Sequence, residues 1–510
     1  MNLLLVVEAG RTRAWVARLA DRLDRLGARV RLETVAPSTK PTPGLDLLLD
    51  LERLVIRRQR VAGVEPIPTS KIAPPPGADF TPALVVDLTG DPQPRAGVRV
   101  LAATWNGVYG EEAAIDSLLS GVTPLAELID LETGEVLERG LASIENAAGL
   151  GGAIDTVAAR LVTLIEARVR AVIENRDRPN PPPIRGQRPG RRRDVARLAA
   201  TSLAGSLIRA IYKLTCHAPH WRIGWRWHDG PGIAETGDFS GPAFRVVPDP
   251  GHRFFADPFP TLHGDTPWVF VEDLDHRVGK GVISAIPFGP DGPTGEAVVV
   301  LEEPWHLSYP FLVEFDGALH MIPESTNAGD VALYRCTRFP DRWERVATLL
   351  DGLSLSDATL FEQTGRWWMF GTEHDGEGSW SDVLAIFSAP SPLGPWTPHR
   401  SNPVMIDRAA SRPAGAVFRR GDRLFRPVQD CSEGYGTALG LAEITRLDDT
   451  GYEQVMRQHL SPGPQWPGRK LHTLNRAGPL EVIDGSVVRP KWPWLAGLVD
   501  RASAPREVAR

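Results

Sequence analysis

The sequence predicts a multidomain molecule, a Rossmann-like α/β domain followed by an all-β, five-bladed β-propeller, and three observations carry that expectation. A β-α-β pattern opens the chain, and a Pro- and Arg-rich stretch interrupts it after residue 175. Beyond that, a hairpin unit recurs at a spacing of roughly fifty residues. The boundaries read from this pattern are 1–175 for the α/β domain, 176–219 for a linker, 220–492 for the propeller and 493–510 for a tail.

Residues 3–7, Leu-Leu-Leu-Val-Val, read as a buried strand. A helix follows with Trp15, Val16, Leu19, Leu23 and Leu26 on one face, and Gly27 stops it. Residues 30–35, 83–88 and 98–102 read as further strands of the same sheet. The loop after the first strand, Glu8-Ala9-Gly10-Arg11-Thr12, lacks G-x-G-x-x-G, so no dinucleotide site is expected there. Residues 154–173 form an amphipathic helix with Ile154, Val157, Leu161, Leu164 and Ile165 toward the sheet.

The segment 98–140 is more particular. It carries Trp105-Asn106-Gly107-Val108-Tyr109-Gly110, then a short helix, then Gly121-Val122-Thr123 and Asp130-Leu131-Glu132-Thr133-Gly134. This order resembles the N-terminal domain of formyltransferases such as the methionyl-tRNA formyltransferases. The resemblance implies that fold over 1–175, but it fails where the chemistry would sit. No His occurs in 1–175, and Glu132 stands where that family has an Asp. Without an imidazole beside Asn106, formyl transfer lacks its apparatus. A catalytically silent platform is the expectation.

Pro179, Pro181, Pro182, Pro183 and Pro189 exclude regular structure from 176–190. A basic amphipathic helix is expected over 191–214, with Arg191, Arg192, Arg193, Arg197, Arg209 and Lys213 interleaved among Leu203, Leu207, Ile208 and Ile211. Such a helix either packs on the propeller or lies against anionic headgroups.

The repeat begins at Phe255-Ala256-Asp257-Pro258 and runs to Glu272. It returns from Tyr309 to Glu324, from Asp357 to Glu373, from Pro413 to Asp430 and, more weakly, from His472 to Arg489. Each copy is a short apolar strand, a Gly-centred turn and an aromatic-rich strand, which is a hairpin signal. Four short strands per copy make a propeller blade. Trp221-Arg222-Ile223-Gly224-Trp225-Arg226-Trp227 alternates large apolar residues with Arg and Gly, so one face is expected to be buried and one wet. It precedes the first copy by too little chain to form a blade, and is expected to complete the last one.

A propeller points the first residue of each inner strand at one axial funnel, and here those positions are Asp257, Tyr309, Asp357, Pro413 and His472. Two carboxylates, an aromatic and an imidazole would converge. The set resembles the five-bladed glycoside hydrolases of the arabinanase/xylosidase and invertase/levansucrase types, which Ala256-Asp257-Pro258 and Ser356-Asp357-Ala358 match at two positions. That resemblance implies Asp257 as base or nucleophile and Asp357 as its support. The acid expected from the fourth blade is missing from Arg412-Pro413-Ala414-Gly415. Glu324 is the candidate to replace it, although the strand assignment puts it at the outer end of its hairpin. The motifs from His252 to Phe259, Leu307-Ser308-Tyr309-Pro310, Ser356-Asp357-Ala358-Thr359 and Arg412-Pro413-Ala414-Gly415 also resemble the propeller of plant glucosamine inositolphosphorylceramide transferases. In that family glycosyl transfer belongs to a further domain downstream, which a chain ending at Arg510 is expected to lack.

An unactivated glycoside needs a proton on its leaving oxygen and hence two carboxyl groups. A sugar on a phosphate needs cations instead. Arg253, Lys280 and Arg412 are the expected cations, with Tyr309 and His472 as further substrate contacts. The leading reading is a carbohydrate-active enzyme, glycosyltransferase or glycosidase-like. The alternatives are a non-catalytic glycan- or glycolipid-binding protein and a formyl or acyl transferase acting on an amino sugar. The cofactor stays open, a nucleotide-sugar donor being the one the first reading would use; no folate and no metal are expected. A net charge of −6 argues against a nucleic-acid partner. Three scattered cysteines suit a reducing compartment, residues 1–7 are too short for a signal sequence, and a cytoplasmic protein is expected, membrane-peripheral where the helix of 191–214 lies on headgroups.

Overall fold

The computed structural model describes residues 1–55, 62–184, 197, 205, 208–502 and 504. The chain forms two compact units. The first is Met1–Ser206 together with Gly376–Asp382 and Arg400–Asp407, and the second holds the remainder from Leu207 onward.

In the first unit, strand β1 (Asn2–Glu8) is a run of buried aliphatics, as suits a strand covered on both faces. Helix α1 (Ala14–Arg25) buries Trp15, Val16, Leu19, Ala20 and Leu23. Strands β2 (Arg29–Val35), β3 (Leu84–Asp87) and β4 (Arg99–Trp105) extend the sheet in the order β2-β1-β3-β4, all parallel. Helix α2 (Leu45–Val55) lies between β2 and β3 in sequence. After α3 (Glu111–Leu119), strands β5 (Leu125–Asp130) and β6 (Val136–Leu141) continue the sheet antiparallel. Helix α4 (Gly149–Ile173) is the longest element, and its fully buried Arg160 donates Nε to Asp382 Oδ1 at 2.9 Å. That pair anchors Gly376–Asp382 within this unit, while Met405–Asp407 adds a parallel strand beside β6.

The formyltransferase expectation is corrected here. The Asn106 side chain closes a turn, donating to Ser117 Oγ at 3.0 Å and accepting from the Leu125 amide at 3.0 Å. Asp130 caps the Leu131–Gly134 turn through the amides of Glu132 and Thr133 and also accepts from Arg99 Nε at 2.6 Å. The polar residues that carried the resemblance are engaged in local turn contacts, with no His in 1–175 to act beside them, and the amino-sugar formyl or acyl transfer alternative falls with it.

In the second unit, hairpins follow each repeat. One sheet holds Arg253–His263, Thr266–Asp275 and Lys280–Gly289, with Val298–Leu301 beside the last. The next holds Ser308–Phe315, Ala318–Glu324, Asp330–Arg338 and Arg342–Asp351. Another runs from Phe418–Arg420 through Arg423–Asp430 and Ala438–Leu447 to Tyr452–Leu460. Trp221–Trp227 pairs antiparallel with Leu480–Ser486, Ile223 opposite Asp484, in a sheet with Leu474–Ala477.

The expectation of five blades is corrected to four separate ones. The strands of the Asp357 repeat, Leu355–Gln363, Arg366–Glu373 and Val383–Ala389, belong to a 12-stranded sheet and not to a blade of their own. The chain around this repeat leaves twice for the other unit, at Gly376–Asp382 and Arg400–Asp407, and only the two-residue Thr397–Pro398 stands where the second and fourth repeats have outer strands of 10 and 9 residues. The wet face expected of Trp221–Trp227 is buried as well. Arg226 is 1% exposed and pairs with Glu481, and Arg222 reaches Asp500 at 2.8 Å.

Candidate active site

Three inner strands carry the same irregularity. The pairing register slips between Ala256 and Phe259, between Ser308 and Phe311, and between Ser356 and Thr359. At each slip one non-glycine residue takes a left-handed backbone: Asp257 at φ +50°, Tyr309 at +43° and Asp357 at +55°. Such a conformation costs roughly 1–3 kcal/mol and persists only where the surroundings impose it. A bulge re-aims a side chain that regular pleating would place elsewhere. The fourth repeat has Gly415 at φ +138°, where an added Cβ would stand 2.1 Å from the Leu474 carbonyl oxygen. Only glycine fits.

Asp257 is 4% exposed. Its Oδ1 accepts from Thr473 Oγ1 at 2.9 Å and its Oδ2 from the Tyr309 amide at 3.2 Å. The Asp257 amide in turn donates to Asp484 Oδ2 at 2.8 Å. His472 stacks on Trp221 at 3.9 Å, with Nδ1 2.6 Å from Asp484 Oδ1 and Nε2 3.7 Å from Asp257 Oδ1. Burial raises the Asp257 carboxyl to about 6; His472 opposes the rise, and Asp484 and Asp357 add to it. Burial works against a charge on His472, yet Asp484 and Asp257 outweigh it and its imidazole lies above its ordinary value.

Asp357 is held differently. Arg412 donates Nε to its Oδ2 at 2.7 Å and Nη2 to its Oδ1 at 3.3 Å, and Gln429 adds a third bond at 3.0 Å. The Arg412 Nη2 also reaches Glu324 Oε2 at 3.2 Å, and the same oxygen accepts the Asp357 amide at 3.3 Å. Burial raises the Asp357 carboxyl to about 8; Arg412 opposes that rise and Glu324 adds to it. The Arg412 guanidinium itself is held well above its ordinary value against its burial, chiefly by Asp357. The bidentate geometry and that cation mark an ion pair, in which Asp357 is the carboxylate partner.

A further carboxyl stands in the same centre. Glu272 pairs directly with Ala256, as Glu324 pairs with Ser308 one repeat later. Burial holds it well above the carboxylate range, and Asp257, Glu324 and Asp484 push it further. His306 Nε2 lies 3.4 Å from its Oε1. At the half-buried rim, Lys470 donates to the Tyr435 carbonyl at 2.5 Å, and the Arg412 guanidinium lies 4.9 Å over the Tyr435 ring.

The structure thus gathers Asp257, Asp357, Glu324, Tyr309, Arg412 and His472, with altered roles. Glu324 is no outer-end residue, because the register brings the end of its strand back beside Ser308. Tyr309 is fully buried, its hydroxyl accepting from the Gly415 amide at 2.9 Å and sharing a bond with Thr359 Oγ1 at 2.8 Å. Arg412 neutralises carboxylates of the protein itself. Arg253 is held by Asp273, Nε to Oδ1 at 2.9 Å, and Lys280 by Glu302 and the Glu303 carbonyl, both at 2.8 Å. Sequence reasoning passed over Glu272, Asp484, Thr473 and Gln429. The glutamate repeated late in the second strand, at Glu272 and Glu324, was the signal available.

Among the described residues, Asp257, His472 and Asp484 form a group whose ligand atoms lie within 4.8 Å of one another. A cation there would compete with the proton that the two carboxylates favour on His472.

This centre lies in a region of recognisable kinship. Residues 247–480 match the family described as "Glucosamine inositolphosphorylceramide transferase 1, N-terminal". Among curated proteins, the glucosamine inositolphosphorylceramide transferase 1 of Oryza sativa subsp. japonica is 32% identical over 46% of this chain and 34% of its own length. The protein of the same name from Arabidopsis thaliana is 35% identical over 40% of this chain and 27% of its own. The chain thus spans about a third or less of these relatives. Among solved structures, the catalytic domain of a Coprinopsis cinerea GH62 alpha-L-arabinofuranosidase aligns at TM-score 0.36 and 13% identity, over 50% of this chain and 85% of that one.

Proposed function

We propose that the second unit is a carbohydrate-active enzyme that transfers or hydrolyses a glycosyl group, and that the centre around Asp257 is where it acts. One observation carries this reading: strained bulges in successive repeats aim Asp257 and Asp357 at a single carboxyl-rich centre, inside the segment akin to glucosamine inositolphosphorylceramide transferases. Two carboxyl groups with different proton affinities are what glycosyl chemistry asks for. Asp257, at about 6, is ionised at neutral pH and takes the proton of an attacking sugar or water hydroxyl. Glu272, whose carboxyl burial and its acidic neighbours push up, is the group that gives a proton to the departing oxygen. The ion pairs of Arg412 with Asp357 and Glu324 hold those two carboxyls in place. The substrate is a sugar, free or on a glycolipid; a nucleotide sugar serves as donor if the reaction is transfer, and the protein works in the cytoplasm or at its membrane faces.

The test incubates purified protein with nucleotide sugars plus glycolipid acceptors, and separately with oligosaccharides and aryl glycosides, with products read by mass spectrometry. A product that Asp257→Asn and Glu272→Gln both abolish is expected. Unchanged turnover by Asp257→Asn removes the assignment. Saturable glycan binding with no product would instead favour a binding protein, a reading that the internal engagement of Arg412 supports.

A further inference from the structure

Outside that centre, the second unit exposes large apolar side chains on two adjoining elements. Residues 208–215 are helical, and Ile208, Ile211 and Leu214 follow one another at three-residue spacing on one stripe. Leu214 is 75% exposed and Ile208 66%. The C-terminal helix Pro493–Ala502 begins beside them, with Trp494 69% exposed and Trp492 and Leu498 about half exposed. The two elements are tied together. Cys216–His217 pairs with Arg489–Pro490, the Lys491 amide donates to the Thr215 carbonyl at 3.0 Å, and the Lys491 Nζ donates to the Lys213 carbonyl at 2.9 Å. Isolated exposed aliphatics are ordinary; a cluster of aliphatics with two tryptophans is not.

Charge says what covers it. The whole chain carries −6, yet the two elements of the patch, 208–215 and 491–502, hold four Arg or Lys against one acidic residue, Asp500. Arg209 and Lys213 interleave with the apolar stripe itself, and Arg501 follows Leu498 by three. Apolar residues in a basic surround, with tryptophan at the boundary, is the chemistry that seats a peripheral protein in the headgroup layer of an anionic bilayer. No described helix is long and apolar enough to cross a membrane, so the contact is interfacial.

We propose that Ile208, Ile211, Leu214, Trp492 and Trp494 form a docking face for an anionic membrane surface, with Arg209 and Lys213 supplying the electrostatic attraction. The inference stands apart from the carbohydrate reading, since it needs no turnover to be tested. The full chain is sedimented with phosphatidylcholine vesicles, with and without phosphatidylserine. Co-sedimentation with the anionic vesicles alone, weakened by added salt and accompanied by a blue shift of tryptophan emission, is the expected result. Trp492→Ser with Trp494→Ser should lose at least tenfold in partitioning, with unchanged melting. Arg209→Gln with Lys213→Gln should lose about 30-fold, each surface cation contributing about fivefold. Absence of wild-type binding to anionic vesicles overturns the proposal. So does equal binding by both variants, or a concentration-dependent dimer that the tryptophan substitutions dissolve, which would assign the face to a second copy of the chain.

Discussion

Asp257 and Asp357 occupy the same backbone device in two repeats, yet they are different groups chemically. Each sits at a left-handed bulge residue at the start of an inner strand, and each is almost wholly buried. Asp257 faces a histidine shared with a second carboxylate, and no arginine among its described partners fixes its charge. Asp357 is locked by a bidentate arginine and a glutamine. The bulge therefore sets only where a carboxyl points; residues contributed by distant repeats set what it can do. Asp257 is placed to move protons and Asp357 to hold Arg412.

The most severe way to break that contrast is to neutralise each carboxyl without changing its shape. Asp257→Asn should lower turnover by about 10³-fold, the range of a lost general base, while at neutral pH the protein melts no lower than wild type. Asp357→Asn should do the reverse in kind, destabilising the second unit by about 3–5 kcal/mol because Arg412 is left buried beside Glu324 alone. Urea denaturation of the two variants separates them. Equal stability losses would show that the two sites are not distinct.

Proton affinity sharpens the comparison. With Asp257 near 6, kcat/KM should fall tenfold per pH unit below about 6 as the base gains its proton. His472 lowers that carboxyl, so His472→Gln should move the acid limb to higher pH. Stability carries the opposite-looking signature. The folded state holds this proton more tightly than the unfolded chain, so stability falls as pH rises from about 4 to about 6, and Asp257→Asn flattens that slope. A wild-type acid limb near pH 4 would remove Asp257 as the titrating group.

The hairpins were legible because glycine turns and aromatic strands are local signals, and Gly317, Gly365 and Gly421 all sit at the turns with positive φ. The site was legible in part, for the same reason: the repeat start marks Asp257 and Asp357. What no local pattern shows is convergence. Arg412 reads as a free cation for substrate until carboxylates from two other repeats are found on it. Glu272 and Asp484 lie late in second strands, where the antiparallel register sets Glu272 opposite Ala256 and Asp484 meets the Asp257 amide from the last repeat. The separateness of the third repeat failed for a similar reason, since Gly376–Asp382 reads as a loop, and the pairing of Asp382 with Arg160 lies 222 residues away in sequence. Most of the basic helix expected over 191–214 lies outside the described residues.

The smallest effect tests the strut between the two bulges. Tyr309 shares their backbone, but its hydroxyl is engaged by the Gly415 amide and Thr359, tying the second repeat to the third and fourth. Its ring packs edge-on against Phe259 at 4.8 Å, so Tyr309→Phe keeps the packing and removes the acceptor of the Gly415 amide together with the bond to Thr359. The expected loss is about 1–2 kcal/mol of stability. Turnover should drop less than tenfold, because the tyrosine is fully buried and touches neither proton-moving oxygen through its hydroxyl. A loss of turnover approaching that of Asp257→Asn, with stability unchanged, would instead place the Tyr309 hydroxyl among the reacting groups and make all three bulges part of the chemistry.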